Sequence, residues 1–212
     1  MAAKYPYEKG LSIEKISKSF KLSPSDILNV YVVGSHLWGT VHKDSDWDLV
    51  IVVKVWSVKP ADMHSGLLDA HILSKEQFVE TLALHNFRLI ACIYAPVHCK
   101  LKETIKFEKM FKLDKIKLRD SFFQENERDN RIAEKHANKG RVDAAKTICV
   151  HTLRLLMFGE QICLEGGIVD YQRGRDELDE LKYTYFTSWD ELSSFVLPKI
   201  KDCKERILAL CI

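Results

Sequence analysis

The stretch GSHLWGTVHKDSDWDLV, residues 34–50, decides how this sequence is interpreted. Its Gly-Ser pair follows the apolar run Ile27–Val33, and its aspartates Asp46 and Asp48 stand one residue apart where the next apolar run begins. Successive side chains of a strand point to opposite faces, so both carboxylates point to the same side. Carboxylates on a core strand are costly unless they are neutralised or solvated. The stretch therefore predicts a strand whose acidic face is satisfied by a salt-bridge partner, by water at a sheet edge, or by metal ions.

A third carboxylate, Asp69, lies inside the apolar run GLLDAHIL, residues 66–73. Three carboxylates on neighbouring strands form a hard-oxygen set that suits Mg²⁺. Gly34 allows a phosphate to approach the backbone, and Ser35 offers a hydroxyl where a helix would start. The plainer explanations are a solvated strand entrance, a strand-ending turn and an edge carboxylate that faces water. Because all three would have to hold together in this chain order, the pattern favours a metal and phosphate site.

The apolar patterning predicts an α/β half followed by a helical half. The predicted strands are Ile27–Val33, Leu49–Val55, Gly66–Leu73 and Leu89–Tyr94. The predicted helices are a segment from Leu11 to Phe20, one from Ser74 to about His85 whose N-cap Ser74 forms a capping box with Gln77, and the long segments Asp114–Asn138, Val142–Leu164 and Trp189–Leu210. The predicted fold is α/β, with a small mixed-sheet domain over residues 1–100 and a C-terminal helical bundle over residues 101–212.

The composition is that of an ordinary globular protein, with 46% hydrophobic residues, 29% charged residues and a net charge of +2. The six cysteines form no C-x-x-C pair, which argues against a zinc site or a disulfide framework. The start, MAAKYPYEKG, lacks the layout of a secretory signal, and no apolar run approaches the ~18 residues of a membrane span. We therefore expect a cytoplasmic protein that does not bind a membrane; the sequence does not indicate its oligomeric state.

The motifs at residues 33–35 and 46–48, followed by Asp69, resemble the signature of the DNA-polymerase-β-like nucleotidyltransferase superfamily. The resemblance implies Mg²⁺-dependent transfer of a nucleoside monophosphate from an NTP such as ATP to a hydroxyl, with release of pyrophosphate. It implies two Mg²⁺ ions, for which Mn²⁺ can substitute. The implied metal ligands and catalytic residues are Asp46, Asp48 and Asp69, of which Asp69 also assists deprotonation of the acceptor, and the implied triphosphate-binding residues are Gly34 and Ser35.

A narrower resemblance covers residues 67–96, LLDAHILSKEQFVETLALHNFRLIACIYAP, and residues 144–162, AAKTICVHTLRLLMFGEQI. These segments resemble the RNA-ligase-associated nucleotidyltransferases, known as the RlaP or YcgL-like family. The resemblance implies an RNA end as the acceptor, a role in RNA repair, and further nucleotide contacts from Lys146, His151 and Arg154. That family often has an arginine after Gly-Ser, whereas this chain has His36, which alters the charge offered to the triphosphate.

Several of these residues have a structural alternative. His151 and Arg154 lie in an apolar helix, where a core histidine and an arginine paired with a carboxylate such as Asp120 or Glu125 are equally expected. Trp38 stacks on a base or, as the preferred interpretation, fills the turn before Gly39.

Two other classes of function stay open. One is a nucleotide- or RNA-binding module that has lost turnover, and the other is an antitoxin-like nucleotidyltransferase that modifies a partner protein. The three intact carboxylates argue against the first, and the long helical half argues against the second. The sequence indicates neither the NTP nor the acceptor.

Overall fold

The computed structural model describes residues 11–41, 43, 45–55 and 60–211. The chain divides into two units, one ending at Lys112 and the other beginning at Leu113. Within the described residues, the first unit contains the β-sheet and the second consists of helices and their connections.

The first unit is built on a five-stranded sheet. Its strands are β1 (Ile27–Val32), β2 (Trp47–Val53), β3 (Ala61–Ser65), β4 (Leu68–Ser74) and β5 (Lys100–Glu103). They lie in the order β3-β4-β2-β1-β5. The pair β2 and β4 is parallel, whereas β1 pairs antiparallel with β2 and β5, and β3 pairs antiparallel with β4. The small mixed sheet predicted from the sequence is confirmed.

Four helices accompany this sheet: α1 (Ile13–Phe20), α2 (Gly34–Trp38), α3 (Lys75–Ala83) and α4 (Phe87–Tyr94). Helix α3 begins with the predicted capping box. The Ser74 hydroxyl accepts from the Gln77 backbone N–H at 3.2 Å, and the Gln77 side chain accepts from the Ser74 N–H at 2.8 Å. Two N-terminal donors of the helix are thereby satisfied locally, which fixes where β4 ends and α3 begins.

The strand predicted at Leu89–Tyr94 is wrong, because this segment is helix α4. The Asn86 side chain accepts from the Leu89 N–H at 3.3 Å and so caps the helix. The five residues 89–93 are all buried, so the segment is apolar on every side. A short apolar run of this kind does not distinguish a buried helix from a buried strand by periodicity.

The strands β3 and β5 were not predicted, and both lie at the edges of the sheet. Their sequences, ADMHS and KLKE, are polar, as exposed edge strands usually are. Because β5 pairs with β1, the sheet continues past residue 100, where the sequence placed the domain boundary. Strand β2 also begins earlier than predicted, at Trp47, which places Asp48 inside the strand.

The second unit contains α5 (Lys115–Ala137), α6 (Val142–Glu165), α7 (Arg175–Tyr183) and α8 (Trp189–Leu210). Helix α6 is the core of this unit and packs against the other three. The predicted helical bundle and its three long helices are confirmed. The sequence did not predict α7, RDELDELKY, which offers few apolar residues to a pattern search.

Helix α6 is also long and apolar enough to cross a membrane by length and composition alone. However, 78% of its apolar window is buried inside the structure, which is what the central helix of a bundle also shows. The helix is therefore weak evidence for a membrane span. The expected absence of membrane binding and the cytoplasmic location stay predictions.

Candidate active site

The sheet register brings two of the predicted carboxylates together. Asp48 on β2 and Asp69 on β4 are direct partners in the parallel ladder. Neighbouring strands lie about 4.8 Å apart, and partners in register point to the same face, so the two side chains stand side by side. Their neighbours Trp47 and Leu68 are also partners and are buried on the opposite face. The apolar face of the two strands thus anchors them in the core and presents the carboxylates on the other side.

Asp46 precedes β2 and is exposed. It lies close enough to Asp48 to act on that carboxyl. Partial burial, followed by repulsion from Asp69 and from Asp46, raises the pKa of Asp48, and the nearby Arg88 guanidinium only partly opposes this rise. A carboxyl whose pKa is raised by like charges is stabilised when a cation arrives. The three predicted acids therefore form a region of excess negative charge.

Gly34 connects this acidic face with the Gly-Ser motif. It begins α2 directly after β1 with a φ of 62°. A Cβ built on Gly34 would lie 2.6 Å from Cγ of Asp48, a distance that side chains do not tolerate. The Val33 N–H also donates to the Asp48 carbonyl at 2.8 Å. Only glycine fits here, because the backbone is left-handed and the Asp48 carboxylate occupies the space that a side chain would need.

Ser35 and His36 follow in the first turn of α2, and both are partly exposed. The His36 ring stacks on Trp47, with ring centroids 3.6 Å apart and the planes at 10°. At the other end of this helix, Trp38 is buried and stacks on Phe87 at 5.9 Å. Trp38 therefore fills the turn, as preferred from the sequence, and it joins the end of α2 to the beginning of α4.

Two histidine–aspartate pairs on β3 and β4 extend the site and were not predicted. His64 faces Asp69 in register, and its Nδ1 contacts a carboxylate oxygen of Asp69. Asp62 faces His71, whose Nδ1 lies 2.8 Å from Asp62 Oδ1. The hydrogen bond and the charge of Asp69 raise the pKa of His64, whereas the hydrogen bond from His71 lowers the pKa of Asp62. Sequence reasoning missed His64 and Asp62 because it missed β3.

Arg88 in the first turn of α4 is the other residue that sequence reasoning missed. Its Nη1 lies 3.3 Å from Asp62 Oδ1, and its charge partly opposes the rise in the pKa of Asp48. Because the sequence predicted a strand at residues 89–94, it gave no reason to place Arg88 at the site. One signal was available, since Arg88 is the only arginine in residues 1–112 of the sequence.

Lys146, predicted as a nucleotide contact, is engaged within the second unit. Its Nζ donates to the Thr184 carbonyl at 3.2 Å and lies 3.3 Å from a carboxylate oxygen of Asp143. These contacts tie α6 to the end of α7. These two intramolecular contacts explain the position of the lysine without a nucleotide.

Arg154 is buried on α6, and this burial lowers its pKa to about 10 although the Asp179 carboxylate on α7 opposes the change. Enclosure of the imidazole, followed by the charge of Arg154, lowers the pKa of His151, although part of this residue reaches solvent. The charge of Arg154 therefore acts on His151, as expected for residues three positions apart on a helix.

The structure shows an acid near Arg154 that the sequence did not suggest. Asp120 pairs with Arg119 at 2.7 Å, and Glu125 lies 3.5 Å from Arg128. Asp179, on the helix that the sequence did not predict, lies within electrostatic reach of Arg154.

The predicted metal ligands are of a chemical type that suits Mg²⁺, but their side chains do not converge on one point in the structure. Within the ranges that the structure describes, no three His, Cys, Asp or Glu side chains form a group that could hold a metal ion. Asp69 is engaged with His64, and Asp46 is exposed at the strand entrance. The donor set nevertheless consists of carboxylates alone, and burial together with repulsion from Asp69 and Asp46 raises the pKa of Asp48. Hard oxygen donors of this kind suit Mg²⁺.

Comparison with solved structures supports the fold. The chain is similar to the spectinomycin adenyltransferase AAD(9) from Enterococcus faecialis, a structure with ATP and spectinomycin, at 12% identity and a TM-score of 0.50. The match covers 95% of this chain and 99% of that chain. A nucleotidyltransferase-like protein from Exiguobacterium sibiricum matches at 12% identity and a TM-score of 0.39, over 94% of this chain and 76% of that chain. At 12% identity the likeness to the adenyltransferase concerns the fold alone, and the match with a TM-score of 0.39 carries no argument.

Sequence comparison assigns the family. No curated protein sequence matches the chain. The family model described as "Nucleotidyltransferase domain" matches residues 13–133, which is more than half of the chain. This span includes the Gly-Ser motif, all three predicted carboxylates and the pairs on β3 and β4. The chain therefore belongs to the nucleotidyltransferase domain family.

Proposed function

We propose that the protein transfers a nucleoside monophosphate from an NTP to a hydroxyl acceptor, with Mg²⁺ as cofactor and pyrophosphate as the leaving group. The observation that carries the proposal is the packing of Gly34 against the Asp48 carboxylate, beside the register partner Asp69. A backbone that lacks a side chain next to paired carboxylates offers adjoining places for a phosphate and for the cations that accompany it.

The acids Asp46, Asp48 and Asp69 would hold divalent metal, with Mg²⁺ as the expected ion and Mn²⁺ as a substitute. When bound, such ions favour deprotonation of the attacking hydroxyl and stabilise the charge of the leaving group. Gly34 brings the Gly-Ser motif close to the Asp48 carboxylate, and the Ser35 hydroxyl donates a hydrogen bond to the phosphates. Asp69 accepts the proton of the acceptor hydroxyl, and the contact with His64 fixes the orientation of that carboxylate.

ATP is the first donor to test, because the adenyltransferase with the similar fold was crystallised with ATP. An RNA end is the first acceptor to test, and its support is the resemblance of residues 67–96 and 144–162 to the RNA-ligase-associated family. A role in RNA repair would follow from that acceptor. Nucleotide contacts from Lys146, His151 and Arg154 stay predictions of the same resemblance.

The test is transfer of label from each of the four α-labelled NTPs, with Mg²⁺, to RNA oligonucleotides bearing a free hydroxyl end and, in parallel, to candidate protein acceptors. Label should move to one acceptor class and should disappear with a chelator or with Asp48→Asn. Label on protein alone would favour the antitoxin-like class. If the wild-type protein binds NTP but releases no more pyrophosphate than Asp48→Asn with any acceptor, the chain is a binding module and the proposal fails.

A further inference from the structure

The candidate phosphate site lacks a permanent positive charge on its own helix. The first turn of α2 offers Gly34, Ser35 and His36, and the ring of His36 stacks on Trp47. A triphosphate keeps several negative charges even when metal ions accompany it, and a guanidinium is the side chain that best matches phosphate oxygens. In residues 1–112 the sequence supplies one guanidinium, that of Arg88. Where the fold places Arg88 therefore decides whether the first unit supplies such a partner.

One ring contact of its neighbour, one ion pair and one electrostatic effect place Arg88 at the edge of the site. Its neighbour Phe87 stacks on Trp38, so the beginning of α4 packs against the end of the helix that carries the Gly-Ser motif. The guanidinium lies 3.3 Å from Asp62 on β3. It is also near enough to Asp48 to oppose in part the rise in the pKa of that carboxyl. Arg88 thus stands between the edge strand and the acidic face.

We propose that Arg88 is a nucleotide-binding residue that contacts the phosphates of the NTP, and that Asp62 holds its guanidinium beside the site until the nucleotide arrives. This inference rests on the proposed function, because it concerns the same site. It adds a residue that none of the sequence motifs contains.

The ion pair between Arg88 and Asp62 has the properties of a resting contact. The side chains are 51% and 81% exposed, and ion pairs so exposed add little to stability. The free-energy cost for the Arg88 guanidinium to leave Asp62 and bind a phosphate is therefore small. His71 lies 2.8 Å from the same Asp62 oxygen, so the carboxylate keeps a partner when the guanidinium leaves. A bidentate contact between arginine and phosphate is stronger and better defined in direction than this contact at 3.3 Å.

The test measures binding of ATP and of inorganic tripolyphosphate, both with Mg²⁺, by calorimetry on the full chain. Arg88→Ala should weaken tripolyphosphate binding by about tenfold or more, as expected for loss of a hydrogen bond to a charged group. Arg88→Lys should fall between Arg88→Ala and the wild type, because a point charge remains but the planar fork is lost.

Lys54→Ala is the matched control. Lys54 is 54% exposed and pairs with one acid, Asp26, at 3.9 Å. It follows β2 at the end away from Asp48, about 20 Å along the strand direction. We expect this variant to bind tripolyphosphate as the wild type does, and we expect all the variants to melt at the same temperature.

A second variant tests the resting contact. Asp62→Asn should tighten tripolyphosphate binding in the wild-type background and should change nothing in the Arg88→Ala background. Removal of simple repulsion between Asp62 and the anion would tighten binding in both backgrounds, and that result would overturn the resting role.

The outcomes for Arg88 and for the proposed function are separable. Tripolyphosphate binding that is weakened by Asp48→Asn but not by Arg88→Ala overturns the assignment of Arg88 and leaves the function standing. A wild-type protein that binds neither ATP nor tripolyphosphate overturns both. Weaker binding in Arg88→Ala and unchanged binding in Lys54→Ala is the result that the inference expects.

Discussion

Two aspartates on one face of the sheet stand in opposite electrostatic surroundings. Asp62 on the edge strand β3 is exposed and is paired with His71 and Arg88, which hold its pKa below its usual range. Asp48 on the central strand β2 is half-buried, and burial together with two neighbouring carboxylates raises its pKa. The same type of side chain is thus satisfied at the edge of the sheet and left with uncompensated repulsion near its centre.

This difference shows where the molecule needs a partner that the chain does not supply. At the edge, the cations of the protein neutralise the acid, so binding of an added cation there would be only weakly favourable. Near the centre, burial keeps water away from Asp48, and the neighbouring Asp69 adds a like charge. Binding of an added dication there would therefore be strongly favourable. Uncompensated charge on a rigid strand is a feature of functional sites, whereas compensated charge is ordinary surface structure.

The largest effect is expected for Asp48→Asn, which removes one charge and keeps the size of the side chain. Transfer should fall by about a thousandfold, equivalent to about 4 kcal/mol of transition-state stabilisation. Asp62→Asn is the comparison variant, because it removes the same charge from the same face at the edge, and transfer should change in either direction by less than about tenfold. Pyrophosphate release measures both. Equal losses in the two variants would contradict the distinction between the two acids.

Gly34→Ala should have the next largest effect, because the added Cβ meets the Asp48 carboxyl group and the backbone φ is 62°. We expect a loss of about 2–4 kcal/mol in the free energy of unfolding. Gly66→Ala is the control: its φ is 63°, and nothing lies within 4 Å of the added Cβ. Gly66→Ala should cost only the backbone strain, about 1–2 kcal/mol. Chemical denaturation of both variants measures the difference, and equal losses would show that Gly34 does not pack against Asp48 in solution.

The pH dependence of stability should have opposite signs for the two acids in metal-free protein. The folded-state pKa of Asp48 is raised, so its contribution is fully favourable below its ordinary pKa of about 3.9 and is lost as pH rises through the raised value. Asp48→Asn should therefore gain stability relative to wild type as pH rises from 4 to 8, by less than about 1 kcal/mol after solvent screening.

The folded-state pKa of Asp62 is lowered, so its contribution is present above about 3.9 and is lost as pH falls through the lowered value. Asp62→Asn should therefore be the less stable protein at neutral pH and should approach wild type in acid. Denaturation curves of the three proteins across this range measure both trends. Trends of the same sign in the two variants would contradict the comparison.

The smallest effect is expected for Arg154→Lys in the second unit. Arg154 is buried with Asp179 in reach, so a lysine that loses the planar fork should lower the free energy of unfolding by about 1 kcal/mol. Transfer per folded molecule should hold. The opposite outcome, full stability with reduced transfer, would support the nucleotide contact that the family resemblance implies for Arg154.

The centre of the site could be predicted from the sequence because its signals are local. Gly34-Ser35 and the pair Asp46 and Asp48 are neighbours in the chain, and buried strands such as β1 and β2 are apolar enough to be recognised. The alternation of side chains then predicts the shared face without any long-range information.

The edge of the site could not be predicted because its signals are not local. His64 and Asp62 acquire partners through the register of β3 on β4, and β3 is a polar edge strand without an apolar pattern. Arg88 reaches the site because residues 87–94 form a helix, and an apolar run of that length does not distinguish helix from strand. For the same reason, the sequence did not predict Asp179 on α7 as an acid near Arg154.

The most direct test of the central claim is to measure Mn²⁺ binding by electron paramagnetic resonance in the presence of a non-hydrolysable ATP analogue. If the acids on β2 and β4 are a metal site, wild type and Asp62→Asn should both bind the ion, and Asp48→Asn should lose at least about tenfold in affinity. Equal Mn²⁺ affinity in wild type and Asp48→Asn would contradict the claim, because the acid with the raised pKa would then have no part in holding the cation.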